Sequence, residues 1–531
     1  MDRARTLAAR IRSVLLGNGC DLSGTPSLPV RRLRALFPHP PSRQGARMVI
    51  VSNRLPIVMD TDETGLRVSG ASGGLVTALG AVLRRQGGRW VGWPGPVNGN
   101  EAAVKECLAR HGEQAGFELW PVFMSSEEIE GFYQGFCNEI IWPLFHDLQS
   151  ECNFVPDYWV RYVAVKEKFA DVVSRHVEKG DFVWVQDYHL MGLGRQLRER
   201  GLRNRLGFFL HIPFPPPDIF CKLPWRKEVL ESLLHYHVIG FQSPRDCDNF
   251  LDCVQKLLPE AQFQSRRGIV ACAFQGRIVQ IGVFPIGIDY ELFANAAKAP
   301  PITEQVKELH RQFPSQQIAL GIDRLDYTKG IPCRLKAFQL ALKRNPELHR
   351  RVTLLQVVVP SREAVPKYQE LKAQIERLVA QINGEFTQPG WVPINYVFRF
   401  LKWEELISYY RVADVALVTP LKDGMNLVAK EYCACQVEGD GVLILSEFAG
   451  AAVQMQRDAI LVNPYDLDRV ADAIREAVCK TVGQRESAMR GLRRIVQREN
   501  VFWWADRFLD ACGVSEPMMA RGNTARKVAA I

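Results

Sequence analysis

Two basic residues follow a short apolar run at residues 318–322, in the segment DRLDYTKG (residues 323–330). Arg324 and Lys329 stand just before a predicted helix. Cations and free backbone N–H groups in such a place can stabilise negative charge on a diphosphate. The pattern therefore indicates a diphosphate clamp. The alternative is a surface salt-bridge cluster with Asp323 and Asp326.

A second anion-binding pattern follows the apolar run 415–419, in the segment PLKDGMNLVAKE (residues 420–431). A helix that begins after Gly424 would present N–H groups that have no partner inside the helix, and these attract an anion. Glu431 lies two turns into that helix, where its carboxylate is well placed for a diol such as a ribose. An ordinary exposed helical glutamate is the alternative.

The first half of the chain carries polar residues at similar places. Asp187 and His189 follow the apolar run Phe182–Gln186, and His211 follows the run 206–210. These side chains suit hydrogen bonding to a hydroxyl-rich ligand, and they could serve acid–base chemistry. Asp187 could instead cap the helix that follows. No third ligand at a metal-binding spacing accompanies them, so no metal site is predicted.

A glycine pair, Gly73 and Gly74, precedes another predicted helix. Small residues at a helix start let backbone N–H groups approach a phosphate closely. Taken alone the pair is a weak signal, and a plain turn is the alternative.

The elements that must position these residues alternate between strand and helix from Met48 onward. Continuous apolar strands that alternate with helices indicate parallel sheets covered on both faces. The sequence therefore predicts an α/β protein with two doubly wound domains and a changeover near residues 284–288. In such sheets ligands bind beyond the carboxyl ends of the strands, where the polar residues stand. The predicted strands are 48–51, 182–186, 206–211, 318–322, 352–359, 415–419, 441–445 and 460–462.

The composition bounds the class of protein. The chain has 531 residues, 47% of them hydrophobic and 24% charged, which fits a globular protein with two domains. No apolar run is long enough to span a bilayer. The 13 cysteines are scattered and form neither a zinc pattern nor a disulfide framework, so a cytoplasmic location is expected.

The formal net charge of +9 lies at the ends of the chain. Residues 1–47 hold nine arginines against Asp2 and Asp21, and Arg521, Arg526 and Lys527 stand near the other end. The body between them is close to neutral, so a nucleic-acid partner is not expected. The basic segment 1–47 is typical of a disordered extension, with a targeting segment or a partner-binding helix as alternatives. Met48 could be the natural start.

The segment MDTDETG (residues 59–65) reads like the aspartate motif of haloacid-dehalogenase phosphatases. It stands between the first predicted strand and the glycine pair, where there is no room for a phosphatase domain. A polar hairpin turn is the preferred interpretation.

Taken together, the strand ends resemble those of one family over nearly the whole of residues 48–510. This family is the trehalose-6-phosphate synthases, which are retaining glycosyltransferases with two facing Rossmann-like domains of the GT-B type. The resemblance implies an extension at 1–47, an acceptor-side domain at 48–285, a nucleotide-sugar domain at 286–512 and a tail at 513–531. The segments that carry it are SNRLP, SGG, WVGWPG, IWPLFH, QDYHL, FFLHIPFP, DRLDYTKG, PSR, TPLKDGMNLVAKEY and LSEFAGAA.

The resemblance also implies roles for individual residues. Arg324 and Lys329 match the residues that hold the donor diphosphate, and His211 matches a histidine that lies against the transferred glucose. Gly73 and Gly74 match the loop that closes over the donor. The donor set is completed by Asp423, Gly424, Met425, Asn426, Leu427, Val428 and Glu431, and the acceptor set is Arg54, Tyr133, Trp142, Asp187 and Arg362.

The implied reaction moves glucose from a nucleotide-glucose, expected to be UDP-glucose, to glucose 6-phosphate, with no metal or other cofactor. Glucosylglycerol-phosphate synthesis from glycerol 3-phosphate is one alternative, and a catalytically silent regulatory homologue is another. The base-side contact of the family falls near Leu401, so the base remains open between uracil, guanine and adenine. The sequence also leaves open whether the protein forms a homo-oligomer.

Overall fold

A computed structural model of the chain describes residues 47–62, 65–70, 73–96, 101–266, 268–314, 316–362 and 365–514. These residues form two compact units. The first comprises the described residues up to Phe284 together with those from Ala505 onward, and the second is Pro285–Trp504. The predicted extension 1–47 lies outside the described residues except for Arg47.

The first unit is built on a mainly parallel sheet with the strand order β5-β4-β1-β6-β7-β8-β11-β10-β9. The strands from β5 to β11 in this order run parallel, while β10 pairs antiparallel with both β11 and β9. The strands are β1 Met48–Arg54, β4 Arg89–Trp93, β5 Glu118–Pro121, β6 Phe182–Gln186, β7 Arg205–Phe209, β8 Val238–Phe241, β9 Gln262–Arg266, β10 Ile269–Phe274 and β11 Arg277–Val283.

Helices cover this sheet, and several begin at residues that favour a helix start. Ser243 accepts a hydrogen bond from Asp246 N at the start of Pro244–Leu257, which satisfies one of the free N–H groups. One element is a π-helix, Ile129–Ile141, which is longer than the single-turn form usually seen. The α-helices are Gly74–Gln86, Glu101–Ala115, Ser126–Glu128, Trp142–Phe145, Pro156–His176, Leu193–Glu199, Pro217–Phe220, Arg226–Leu233 and Pro244–Leu257.

The end of the described chain returns to the first unit. The sequence prediction assigns residues up to 512 to the second domain, but the structure places the residues from Ala505 onward with the first sheet. The reason is aromatic packing. The ring of Phe508 stacks on Trp184 with centroids 4.9 Å apart, and it lies where a Cβ on Gly207 or Gly240 would come within 2.9 Å.

The second unit has a fully parallel sheet with the strand order β14-β13-β12-β15-β16-β17. Its central strands β12 and β13 are paired over their whole length, from Gln317↔Val352 to Arg324↔Val359. The strands are β12 Gln317–Arg324, β13 Val352–Val359, β14 Ile394–Phe398, β15 Val415–Val418, β16 Val442–Ser446 and β17 Ile460–Val462.

Apolar faces of the surrounding helices bury this sheet. The strands are almost continuously apolar because both faces of the sheet are covered. The α-helices of the unit are Tyr290–Ala297, Pro300–Gln312, Ile331–Arg344, Pro366–Phe386, Trp403–Val412, Leu427–Cys435, Ala452–Met455, Leu467–Cys479, Val482–Arg498 and Val501–Ala511, the last of which ends in the first unit.

The predicted α/β class with two parallel, Rossmann-like domains is confirmed. The predicted strands are found within two residues of their expected ends, except that β1 continues three residues beyond the predicted end at residue 51. The segment that resembles a phosphatase motif contributes to a two-stranded antiparallel ribbon, β2 Ile57–Asp62 and β3 Gly65–Gly70. This antiparallel pairing agrees with the hairpin interpretation, and residues 63 and 64 between the two strands lie outside the described residues. Among the described residues, no helix combines the length and apolar character needed to cross a membrane.

Candidate active site

Lys329 and Asp423 meet at the carboxyl edge of the second sheet. Lys329 lies on a short 3₁₀ turn after β12, and its Nζ donates to Asp423 Oδ2 at 2.5 Å. Both side chains are mostly buried, with exposed fractions of 13% and 12%. The ammonium is therefore held at a fixed place beside the segment 423–427. A cation fixed in this way can meet an anionic ligand with little loss of side-chain entropy.

The segment that follows β15 turns sharply into the helix Leu427–Cys435. Asp423 Oδ1 accepts from Met425 N at 3.2 Å, and Asn426 caps the helix by accepting from Ala429 N at 3.2 Å. Asn426 has a φ of 58°, which asparagine tolerates better than most residues. A Cβ on Gly450 would collide with the Gly424 carbonyl oxygen. The segment thus presents the start of a helix in a closely packed and fixed form.

Glu431 is partly buried on the same helix and is not an ordinary exposed glutamate. Its Oε2 accepts a hydrogen bond from the hydroxyl of the buried Tyr410 at 2.7 Å. Burial raises the pKa of Glu431 to about 7, against the opposing effect of that hydrogen bond. A carboxylate with one protein donor retains acceptor positions for a diol.

The aspartates of the DRLDYTKG segment do not form the surface salt-bridge cluster considered above. Asp323 is buried and pairs with Arg334 at 2.6 Å beneath the sheet edge. Asp326 is also buried and accepts from the backbone and hydroxyl of Thr328 at 3.0 and 2.8 Å. The alternative therefore fails, because each carboxylate has an internal partner.

Asp326 is nevertheless influenced by the positive charges at this edge of the sheet. Burial alone would raise its pKa, but the charges of Arg362, Lys329 and Arg324 outweigh that effect and hold the pKa below its usual value. Arg362 has a φ of 50° and donates to Tyr368 Oη at 2.5 Å. Asp326 therefore interacts electrostatically with three of the predicted substrate-binding cations.

In the first unit, Asp187 links the ends of β6 and β7. Its Oδ1 accepts from His211 N at 3.0 Å, and its side chain makes no capping bond to the short helix that follows. Its backbone has φ 68° and ψ 172°, a strained conformation for a residue other than glycine. Burial raises its pKa to about 6, although backbone N–H groups oppose the shift. The capping alternative is therefore wrong, and the strain marks a candidate functional residue.

His211 is fully buried, and both of its ring nitrogens are engaged. Nε2 lies 2.9 Å from Gln186 Oε1, and Nδ1 lies 3.0 Å from Gln242 Nε2. These contacts fit a neutral ring that donates to Gln186 and accepts from Gln242. Burial lowers the pKa of His211 to about 3. A histidine with so low a pKa is a poor general base at neutral pH, so the acid–base option falls away for His211.

Arg54 ends β1 and lies between two aromatic rings. Its guanidinium carbon is 4.5 Å from the centroid of Trp93 and 5.2 Å from that of Tyr133. Such contacts orient a guanidinium while leaving N–H donors available. Ser52 supports the turn by donating to Arg54 O at 2.6 Å.

The remaining acceptor-side residues belong to the same aromatic group. Tyr133 stacks on His189 with centroids 6.0 Å apart, and Trp142 packs against Tyr188 at 5.7 Å. Arg54, Tyr133, Trp142 and Asp187 are thus gathered in the first unit, whereas Arg362 belongs to the second.

The glycine pair begins the helix Gly74–Gln86. Gly73 has a φ of 144° and a ψ of 142°, which a residue with a Cβ rarely adopts. The Gly73 carbonyl accepts from Thr77 N at 3.1 Å. The segment therefore has the backbone of a glycine-dependent helix start, and the plain-turn alternative does not describe it.

Sequence reasoning did not assign Trp93, Gln186 or Gln242 to the site. Trp93 is the second tryptophan of the WVGWPG segment and the last residue of β4, which neighbours β1 in the sheet. The sequence predicted no strand at residues 89–93, so the place of Trp93 at a strand end gave no signal. Gln186 and Gln242 contact His211 only because β6, β7 and β8 are adjacent, and the sequence does not state that order.

Among the described residues, no group of three or more His, Cys, Asp and Glu side chains is arranged to hold a metal ion. The site instead consists of cations, helix starts and aromatic rings. Two Rossmann-like units with these strand ends define a glycosyltransferase. A model of glycosyltransferase family 20 matches residues 46–513. The chain belongs to glycosyltransferase family 20.

Curated relatives cover nearly the same residues. A protein of Mycobacterium avium (strain 104) named trehalose-6-phosphate synthase is 41% identical to this chain over 475 residues. The aligned region covers 88% of this chain and 96% of that protein. This chain is 42% identical over 477 residues to the protein of the same name from Mycobacterium tuberculosis (strain H37Rv), with 88% and 95% covered.

Solved structures show the same fold. An α,α-trehalose-phosphate synthase (UDP-forming) from Burkholderia xenovorans in complex with glucose 6-phosphate matches with a TM-score of 0.78 and 30% identity, over 88% of this chain and all of that one. A structure described as trehalose-6-phosphate from E. coli bound with UDP-2-fluoro glucose matches with a TM-score of 0.79 and 33% identity. The match covers 89% of this chain and 100% of that chain.

Proposed function

We infer that the protein transfers glucose from UDP-glucose to glucose 6-phosphate with retention of configuration, giving trehalose 6-phosphate and UDP. Family membership and the relatives of that name support this reaction. The observation on this chain that carries it is the Lys329–Asp423 pair at the start of the helix Leu427–Cys435. That pair fixes a cation beside a helix start, which is a site for a departing diphosphate.

In this proposal the second unit binds the donor. Arg324 and Lys329 stabilise the diphosphate, and Asp423 holds the glucose while also orienting Lys329. The backbone of residues 424–428 supplies N–H donors, and Glu431 accepts from the ribose hydroxyls. The backbone N–H donors at the start of Leu427–Cys435 match the diphosphate of a nucleoside diphosphate. The acceptor positions of Glu431 match its ribose hydroxyls.

The reaction needs charge stabilisation more than proton transfer by a side chain. The bond between the anomeric carbon and the diphosphate oxygen breaks, and its electron pair stays on the diphosphate. The anomeric hydroxyl of glucose 6-phosphate bonds to the same face of that carbon, and its proton passes to the departing phosphate. His211, being neutral, supports the transferred glucose by packing and hydrogen bonding. The fixed cations act on the charge that develops as the diphosphate leaves.

The acceptor residues proposed are Arg54, Tyr133, Trp142 and Asp187 of the first unit and Arg362 of the second. Arg54 retains donors for a phosphate while the rings beside it restrict its orientation. Asp187 offers a carboxylate to sugar hydroxyls, and Tyr133 and Trp142 provide the aromatic wall. Gly73 and Gly74 are proposed donor residues, and they form a glycine-dependent helix start in the first unit.

We also propose that the reaction requires no metal ion, since two side-chain cations and a helix start supply the positive charge at the diphosphate. A cytoplasmic location fits the described cysteines, which are all free thiols and mostly buried. Buried thiols of this kind are compatible with a reducing compartment.

Product analysis with a panel of substrates tests the proposal. Purified enzyme is incubated with UDP-, GDP- or ADP-glucose and with glucose 6-phosphate or glycerol 3-phosphate, and products are identified by NMR of the anomeric protons. Lys329→Ala serves as the control for contaminating activity. An α,α-linked disaccharide phosphate formed from UDP-glucose supports the proposal. Preference for glycerol 3-phosphate would overturn the acceptor assignment, and no transfer from any donor would indicate a silent homologue.

A further inference from the structure

Two chain segments carry three of the five proposed acceptor residues, and both segments contact one buried tyrosine. The first segment is the π-helix Ile129–Ile141, which carries Tyr133 and leads directly into Trp142. The second is residues 187–192, which carries Asp187. The tyrosine is Tyr162 of the helix Pro156–His176, with none of its surface exposed to solvent.

The ring of Tyr162 contacts the π-helix. It stacks on Phe136 with centroids 4.1 Å apart and on Phe132 with centroids 5.9 Å apart. Both phenylalanines are fully buried, and Phe132 directly precedes Tyr133. The position of Tyr133 therefore depends on a stack that Tyr162 anchors. An aromatic pair of this kind stabilises the fold beyond the contribution of its buried area.

The hydroxyl of Tyr162 contacts the other segment. It accepts a hydrogen bond from Gly192 N at 3.2 Å. On the same side, a Cβ on Gly192 would collide with Lys166 Nζ, and that nitrogen lies 4.3 Å from the centroid of the Tyr162 ring. Gly192 is therefore packed directly against Tyr162 and Lys166, with no space for a side chain.

The contacts that Tyr162 makes with residues 187–192 help to keep the strained backbone of Asp187 in place. A φ of 68° at a non-glycine residue persists only where the surroundings fix it. Upstream, Asp187 N donates to Phe209 O at 2.7 Å. Downstream, the segment is fixed by the hydroxyls of Tyr162 and of Tyr236, which donates to Leu190 O at 3.1 Å. Loosening the downstream end would let Asp187 relax.

We propose that Tyr162 is a positioning residue of the acceptor site, which holds the segment of Tyr133 and the segment of Asp187 in one arrangement through its ring and its hydroxyl. This inference rests on the proposed function. It predicts that loss of the hydroxyl alone weakens acceptor binding without a matching loss of donor binding, because the residues proposed for the diphosphate and the ribose lie on elements of the second unit.

Tyr162→Phe tests the inference, since it keeps the ring and leaves Gly192 N–H without its partner. We expect the KM for glucose 6-phosphate to rise about 5- to 20-fold, with the KM for UDP-glucose changed less than about twofold. Tyr158→Phe is the matched control. Tyr158 lies one turn earlier on the same helix and packs on the same π-helix at Gly135, but its hydroxyl donates to Glu139 at 3.3 Å. We expect it to leave both KM values unchanged.

An unchanged acceptor KM in Tyr162→Phe, or an equal rise in both KM values, would overturn the inference, since either result indicates a purely structural tyrosine. If that variant does not fold, Phe136→Leu removes the stacked ring from the other side, and the same selective rise is expected. The comparison with wild type uses whichever acceptor the wild-type enzyme accepts. If the proposed acceptor is wrong, the product of the wild-type enzyme shows it. If this inference is wrong, the KM values of the variants show it.

Discussion

Lys329 Nζ and Asp423 Oδ2 lie 2.5 Å apart, although the two residues are 94 positions apart in the chain. One follows β12 and the other follows β15, which are neighbours in the sheet. The pair therefore exists because the sheet places those two strand ends side by side. The pair orients the Lys329 ammonium before any substrate binds. Ligand binding therefore does not need to reorient this side chain.

Lys329→Ala and Arg324→Ala should each lower kcat by at least about 100-fold, because loss of one charged stabiliser of a developing anion costs about 2.7–4 kcal/mol. Steady-state kinetics measures the effect, and circular dichroism checks the fold. Lys343→Ala is a suitable control, since Lys343 is an exposed lysine on the helix Ile331–Arg344. Near-normal turnover in both clamp variants would refute the diphosphate assignment.

Binding of UDP should tighten as the pH rises from 6 to 8, by about tenfold, because the free protein holds Glu431 with a pKa of about 7 and ribose hydroxyls favour the carboxylate. Titration calorimetry in wild type and Glu431→Gln measures the difference. The variant should lose this part of the dependence and keep the part that arises from the phosphate. Identical pH profiles would rule out Glu431 as the ribose contact.

Asp187→Asn should gain more stability relative to wild type at pH 7.5 than at pH 4.5. The pKa of Asp187 is raised from 3.8 to about 6 in the folded protein. Its contribution is therefore fully present below about pH 3.8 and is lost as the pH rises through about 6. Differential scanning calorimetry should show a relative gain of about 2–4 °C, together with weaker acceptor binding. A pH-independent difference would contradict the shifted pKa.

Arg362→Ala should raise the KM for glucose 6-phosphate about 10- to 150-fold while barely changing donor binding, since a charge-assisted hydrogen bond contributes roughly 1.5–3 kcal/mol. Initial-rate kinetics with each substrate varied in turn separates the two effects. The matched control is Arg377→Ala, which removes an exposed arginine of the helix Pro366–Phe386. A rise confined to the donor KM would assign Arg362 to the diphosphate site, beside the cations that share Asp326 with it.

Activity should persist after dialysis against EDTA, because the cations of the clamp carry the positive charge. The measurement compares kcat before and after chelation, with metal content checked by mass spectrometry. Complete loss of activity that a divalent ion restores would mean that the reaction uses a metal.

The sequence predicted the fold because most of its strands are continuous apolar runs, and it predicted the site edge because polar residues follow those runs. It could not distinguish a capping role for Asp187 from a role across strands, since that depends on the pairing of β6 with β7. Nor could hydrophobic periodicity reveal the π-helix that carries Tyr133. Tyr133 and Trp142 were identified only through family resemblance, because neither follows a predicted strand.

The return of Phe508 to the first sheet has a consequence for how the protein is made. Its ring covers Gly207 and Gly240 and stacks on Trp184, so this part of the face of the first sheet stays uncovered until the ribosome has synthesised the whole second unit. A nascent chain that ends before residue 505 leaves an apolar surface over β6, β7 and β8 uncovered. Because the chain is synthesised from its N-terminus, the first unit of this enzyme leaves the ribosome first but completes its folding last.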